Sequence, residues 1–446
     1  MKNIFIVFLS LLLFLYSCEP TSNEIKIIGE NTSTIAAITK IKGKYENAKG
    51  IKVTTFPYEY STLLTKSTVD IAKGDNSYDI IMQYNFALSS YVRNNYVFKI
   101  DEMKKGLPDS LFAFESDLFQ NTWQEVGSYY DLSKNDGSMI KVGYPFASNS
   151  MILVYNKKMF ENPLNKAEFL KKYGQPLCVP VSWEQYYNVA EFFTKKNDKE
   201  EPSFGLCMEG ASNSELYYEF VNYLFSIGNG VLEKKTGWEG DEKTKVIINS
   251  DKNLKALDFY LSLKKFNKGD YFNVDQPLQT KLFKEGDVAM AIMWSDLIYP
   301  QIYKSNNVED NRFGYAPIPG NKSFIGGGSY YINRKSKNPK EAFKFVLWLL
   351  NKENQIEMAK QGLCSPRKSV YENKEVQKIP YINALKTSLE RGVYMMEAGP
   401  DADKISQIIT KYVQFAWKNE INSKEALKNM QNDIIQSRAE IYKNIK

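Results

Sequence analysis

The unbroken apolar run Val288-Ala289-Met290-Ala291-Ile292-Met293 constrains this chain more than any other stretch. It is too short for a typical helix and is bounded by polar residues, so it reads as a strand covered on both faces. Just before it, Leu282-Phe283-Lys284-Glu285 are helix formers, and Gly286 supplies the residue that closes a last helical turn. Just after it come Trp294, Ser295 and Asp296, delivered to the carboxyl end of the strand. In open α/β sheets that is the edge outside which ligands bind.

The first part of the chain alternates the two periodicities. Residues 24–28 read as a strand, a helical stretch follows to about Asn47, and residues 51–56 form a second strand. A helix around residues 60–73 then leads to a third strand over 78–82. This is βαβαβ, the beginning of a mostly parallel sheet. Further on, Ser182 with Gln185 makes a capping box, and Asn338-Pro339 with Glu341 marks another helix start. At 446 residues the chain exceeds what one core serves, and two domains of roughly 200 residues each are expected.

Composition excludes more than it assigns. There is no histidine, which removes Ser-His-Asp and Cys-His catalysis and every His-ligated metal site. A net charge of +6 with no long basic block gives no nucleic-acid arm. Aromatic residues make up 14% of the chain, leaving flat amphipathic surface for a binding site. The N-terminus is a targeting segment: Lys2 precedes an apolar stretch over 4–16, and Leu15-Tyr16-Ser17-Cys18 resembles a bacterial lipobox. Residues 1–17 are therefore expected to be a signal peptide, Cys18 a lipidated first residue, and 18–23 a tether. Cys178, Cys207 and Cys364 remain, too widely spaced for a metal motif and expected to be buried free thiols, with one bridge between two of them left open.

Several motifs share one resemblance. Phe283-x-x-Gly286-x-x-Ala289-Met290 with Trp294 is one, and Tyr78-Asp79-Ile80-Ile81 between Gly74 and Phe98-Lys99-Ile100-Asp101 is another. A third runs from Tyr144-Pro145-Phe146-Ala147 into Tyr155-Asn156-Lys157. The longest comprises Gly314 to Gly320, Ile325-Gly326-Gly327-Gly328-Ser329-Tyr330, and Asn338 to Ala342, followed by Gly362, Pro366 and Arg367. In this order they resemble the family 1 extracellular solute-binding proteins, the substrate-capturing subunits of ABC importers.

The resemblance implies an α/β, two-lobe periplasmic-binding-protein-like flytrap with mostly parallel sheets and a hinge of about three crossovers. Lobe one is expected at 24–147 and 290–350, and lobe two at 148–289 and 351–446. It implies a monomeric, lipid-anchored, extracytoplasmic protein that captures a sugar or oligosaccharide between its lobes and delivers it to the transmembrane subunits of an ABC permease. Catalysis, cofactor, metal and nucleic acid are not part of that expectation. Candidate ligand contacts are loop residues at strand ends: Glu30 and Asn31, Tyr84 and Asn85, Asn149, Glu209, Trp294 and Asp296, Ser329 and Arg367. Tyr394 and Glu397 add to these from a polar-aromatic stretch.

Two other classes stay open. Glu209 and Asp296 are the pair a carboxylate-based glycoside-processing enzyme would need, and a surface adhesion lipoprotein would need no cleft. A polyamine or metal carrier would require clustered acids or paired tyrosines, and neither cluster is evident at the expected strand ends.

Overall fold

Alternating apolar residues and well-placed helix ends produce the first βαβαβ unit. In the computed structural model, which describes residues 23–74, 77–131, 138–194, 203–211, 213–233, 244–304, 309–391 and 400–445, strand β1 (Glu24–Glu30) buries Ile25, Ile27 and Ile28 completely. Helix α1 (Ser33–Lys49) returns the chain to β2 (Lys52–Tyr58), and α2 (Tyr60–Lys73) returns it to β3 (Ile80–Tyr84). Both β2 and β3 pair parallel to β1, which places the carboxyl ends of all three strands at one edge.

A short hairpin, β4 (Ser128–Tyr130) and β5 (Met139–Lys141), precedes the longest strand, β6 (Tyr144–Asn156). The remaining strands are β7 (Phe204–Leu206), β8 (Val288–Trp294), β9 (Phe313–Ala316) and β10 (Ile325–Ile332). The path runs β2-β1-β3-β10-β6-β8-β7, with β9 also on β6. The expected mostly parallel sheets are not found. Strand β10 is antiparallel to both β3 and β6, and β6 is antiparallel to β8 and β9, so the sheet is mixed. These junctions join segments far apart in sequence, which propensity and periodicity do not register.

Strand β6 serves two cores in succession. Its Tyr144, Phe146 and Ala147 pack with the β1–β3 side, while Met151 and Leu153 pack with the helices Trp183–Phe193, Asn213–Ser226 and Ala402–Trp417. Ile152 and Val154 face a third apolar cluster that includes Phe283, Val288 and Leu385. This packing differs from the expected lobe bounds at two places. Strands β8 and β9, placed with lobe one by the boundary at 290, pair with the second half of β6 and bury their side chains on the lobe-two side. Met358 and Leu363, expected in lobe two, pack in the first core.

The β8 run is as expected, buried from Val288 to Met293, with the preceding helix Gln276–Lys284 closed by Gly286 at φ 94°. Cys207 and Cys364 are buried and free, whereas Cys178 is free but exposed, contrary to the expected burial. Among the described residues no helix is long and apolar enough to cross a membrane. The targeting segment and Cys18 lie outside the described residues.

Candidate functional site

The carboxyl ends of the three parallel strands open onto a cavity of about 390 Å³, within the range of small-molecule sites. Glu30 ends β1 and Tyr84 ends β3, and the Tyr84 hydroxyl donates a hydrogen bond to the Glu30 carboxylate. Glu59 follows β2 directly and Tyr60 begins α2. Asn149, midway along β6, and Asp296, just past β8, form the floor, where Asn149 Nδ2 donates to Asp296 Oδ2 at 2.9 Å. The opposite wall carries Glu215 and Tyr218 from the helix Asn213–Ser226 and Gln276 from the start of Gln276–Lys284. Glu215 there accepts the backbone N–H of Gln276 at 3.3 Å.

Aromatic rings form two groups across the gap. Trp294 meets Tyr218 edge-on at 5.4 Å and Phe324 at 5.8 Å, while Tyr60, Tyr84 and Phe86 lie within 6.3 Å of one another. The Tyr60 and Tyr218 hydroxyls are close enough to influence one another electrostatically, so the two groups approach across the cleft. Trp294 also explains a glycine: a Cβ on Gly326 would lie 2.5 Å from its ring, so only glycine lets β10 pass beneath the indole.

The electrostatics are one-sided. The lining includes the carboxyl groups of Glu30, Glu59, Glu215 and Asp296 and, among the described residues, no lysine or arginine. Burial pushes Glu30 up to about 7, against the Tyr84 hydrogen bond and reinforced by Asp296 and Glu59. Burial likewise pushes Asp296 up to about 6, against stabilisation by the backbone N–H groups of Asp296 and Leu297 and by Asn149. The acid cluster that was not evident along the sequence is therefore assembled in space.

Glu30, Tyr84, Asn85, Asn149, Trp294 and Asp296 all line this cavity. The other candidates are placed elsewhere. Asn31 is exposed and its amide donates to Glu59 at 3.4 Å. Ser329 is fully buried between Gly127 and Gly143, on the opposite face of β10. Arg367 is held by Asp117 at 2.7 Å and by the Leu350 carbonyl at 2.8 Å, a structural tie. Glu209 is buried in a separate small void, partitioned from the cleft by Gln276, Trp294 and Leu297, which line both. Burial, then Glu219, Glu215 and Asp275, hold the Glu209 carboxyl well above the usual carboxylate range. It does not face Asp296 across a common space, and the glycosidase pair is not formed. Tyr394 and Glu397 lie outside the described residues.

Sequence reasoning missed Thr32, Glu59, Tyr60, Glu215, Tyr218, Gln276 and Phe324. The strand-end rule that gave Glu30 and Tyr84 reaches Glu59 and Tyr60 once β2 is extended to Tyr58. Glu215, Tyr218 and Gln276 carry no such mark, because they sit on helices whose approach is set by tertiary packing.

Comparison with known proteins places this geometry. Residues 40–384 match the family model described as bacterial extracellular solute-binding protein. A probable ABC transporter-binding protein of Deinococcus radiodurans is 24% identical over 233 residues, spanning 49% of this chain and 52% of that relative, so the match covers about half its length. An ABC transporter solute-binding protein from Agrobacterium radiobacter K84, in complex with ribitol, superposes with a TM-score of 0.72 at 21% identity, covering 94% of this chain and 98% of that one. One from Thermotoga lettingae TMO, bound with alpha-D-tagatose, superposes with a TM-score of 0.73 at 19% identity, covering 93% and 99%.

Proposed function

This chain belongs to the bacterial extracellular solute-binding protein family, and from that premise we propose that it captures a small polyhydroxylated solute in the cleft and passes it to the membrane subunits of an ABC importer. The observation that carries the reading is the lining: the parallel-strand ends of one body and the helices of the other contribute to a single cavity. A solute touching both bodies binds the closed arrangement better and shifts the equilibrium toward it. No bond needs to be made or broken. Aromatic faces suit the C–H patches of a sugar or polyol, and carboxylates and amides suit its hydroxyls. Ribitol and tagatose in the structural relatives are of that class.

In this reading the two lobes are 23–150 with 325–363, and 151–324 with 402–445. The hinge lies at Ser150–Met151 and Phe324–Ile325, with a third passage after Leu363. At this point the Ser150 N–H donates to Ser295 Oγ at 3.1 Å, and the Ser148 N–H donates to the Cys364 carbonyl at 2.9 Å, local bonds that can hold while the bodies swing. The protein acts as a monomer, anchored outside the cytoplasm through lipid on Cys18, which mass spectrometry of the mature N-terminus checks.

The test of capture is a thermal melt against sugars and polyols, followed by small-angle scattering with any hit. A solute at 100 times its dissociation constant adds about 2.7 kcal/mol to stability, and the radius of gyration should shrink. An unchanged radius at saturation would remove the flytrap reading.

A further inference from the structure

The balance of charge in the cleft is the reverse of that in the rest of the molecule. The chain carries a net +6, and several acids outside the cleft are paired with cations: Asp117 with Arg367 at 2.7 Å, Asp287 with Lys268 at 2.6 Å, and Asp401 with Arg438 at 2.8 Å. The acids that line the cleft have no such pairing. Glu30 faces Tyr84, Asp296 and Glu59, Asp296 is approached by Asn149 and backbone N–H groups, and among the described residues no basic side chain lines the cavity with them.

A second observation points at a ligand. Asn149 is only 6% exposed and lines the cavity floor, and among the described residues its Oδ1 has no hydrogen-bond partner, while Nδ2 donates to Asp296. A buried carbonyl acceptor without a donor is costly, and a solute seated on the floor is a source of that donor. The floor thus presents acceptors in excess, while the walls present Tyr60, Tyr84, Tyr218 and Trp294, whose ring faces attract cations.

We propose that the solute captured here carries a protonated amine, an inference that rests on the cleft being the capture site. An ammonium group offers three donors and a positive charge. It would bridge Glu30 and Asp296 and donate to Asn149 Oδ1, with hydroxyls or a second amine reaching Glu59 and Glu215. A single metal ion fits less well: among the described residues no three carboxylate or thiol groups converge closely enough to enclose one. Spread over the walls of a cavity of about 390 Å³, the acids match a molecule of several carbons.

The deciding experiment is calorimetric titration and thermal melting of the mature full chain with matched probes. D-glucosamine is set against D-glucose, the fully deacetylated glucosamine disaccharide against cellobiose, and putrescine and spermidine against 1,4-butanediol. The expected result is that at least one amine binds about tenfold or more tighter than its neutral twin, weakening as salt is raised. Glu30→Gln and Asp296→Asn, which keep shape and remove charge, should each cut amine affinity about tenfold, either variant serving if the other folds poorly. Cyclic against acyclic amines tells an amino sugar from a polyamine. A neutral twin that binds as tightly, or an amine affinity indifferent to both variants, overturns the inference. If neutral sugars alone bind, the charge is wrong and solute capture stands; if neither set shifts the melt, both readings fall.

Discussion

The first body lines the cleft with residues at the ends of parallel strands, Glu30, Tyr84 and, just past β2, Glu59, whereas the second body lines it with Glu215 and Tyr218 from one helix and Gln276 from another. The strand-end residues are fixed by the ladder, since β1 holds β2 and β3 in parallel register. Residues on the helical wall depend on how the helix Asn213–Ser226 packs against Ala402–Trp417 and against the sheet. One wall is therefore a strand edge set by the ladder, and the other a helical surface set by packing. Trp294 belongs to both descriptions, leaving the end of β8 and meeting the second body's rings edge-on.

Removing Trp294 should have the largest effect, because it takes apolar surface from both walls. Trp294→Ala is expected to weaken solute binding by about 1.5–3 kcal/mol, roughly ten- to a hundred-fold. If Trp294 is only a core anchor, unfolding stability falls by about 3–5 kcal/mol and the folded fraction binds normally. Titration and a denaturant melt on the same variant separate the two.

The strand-end wall should also carry a pH signature. Glu30 and Asp296 are raised in the folded protein, to about 7 and about 6, above the ordinary carboxylate range. The folded state then binds more protons than the unfolded chain between those limits, so stability of the solute-free protein is highest in mild acid and falls as pH rises through about 7. Glu219, buried in the second body and held up to about 8 chiefly by burial, adds in the same direction. Glu30→Gln should flatten the first part of that decline and raise stability at pH 7.5 by on the order of 1–2 kcal/mol, discounted for solvent at the cleft mouth. A melt series from pH 4.5 to 8.5 that shows no decline would mean the two carboxylates are better solvated than the geometry implies.

The smallest effect is assigned to the contact between the walls. Tyr60→Phe removes the hydroxyl that reaches Tyr218 and should shift the closed arrangement by about 0.5–1.5 kcal/mol. Tyr218→Phe should do the same from the other side, and the double variant should add little to either. Scattering of the solute-free protein reports the shift as expansion. Additive effects would show that the two hydroxyls act separately.

Much of the first wall was legible. The 24–82 region reads as βαβαβ because each strand is locally apolar and each helix is bounded by turn residues, and Glu30 and Tyr84 follow from where those strands stop. Trp294 and Asp296 follow from the buried β8 run in the same way. Glu209 was read by the same rule and falls behind Trp294, since β7 is only three residues long and its exit turns inward. Arg367 and Ser329 were read by the strand-end rule too, yet one is spent on Asp117 and the other faces the opposite side of its strand.

The sequence by itself determined the local elements, the apolar run of β8 and the absence of histidine chemistry, because each depends on residues within a few positions or on composition alone. Tertiary structure decided that β6 runs through both cores, that β10 lies antiparallel beside β3, and that Glu30, Glu59, Glu215 and Asp296 face one space. The physical reason is range: periodicity and capping act over one or two turns, whereas convergence of four acids needs strands and helices separated by up to 266 residues in sequence to close on one another, an arrangement set by burying two cores at once and written in no single stretch of the chain.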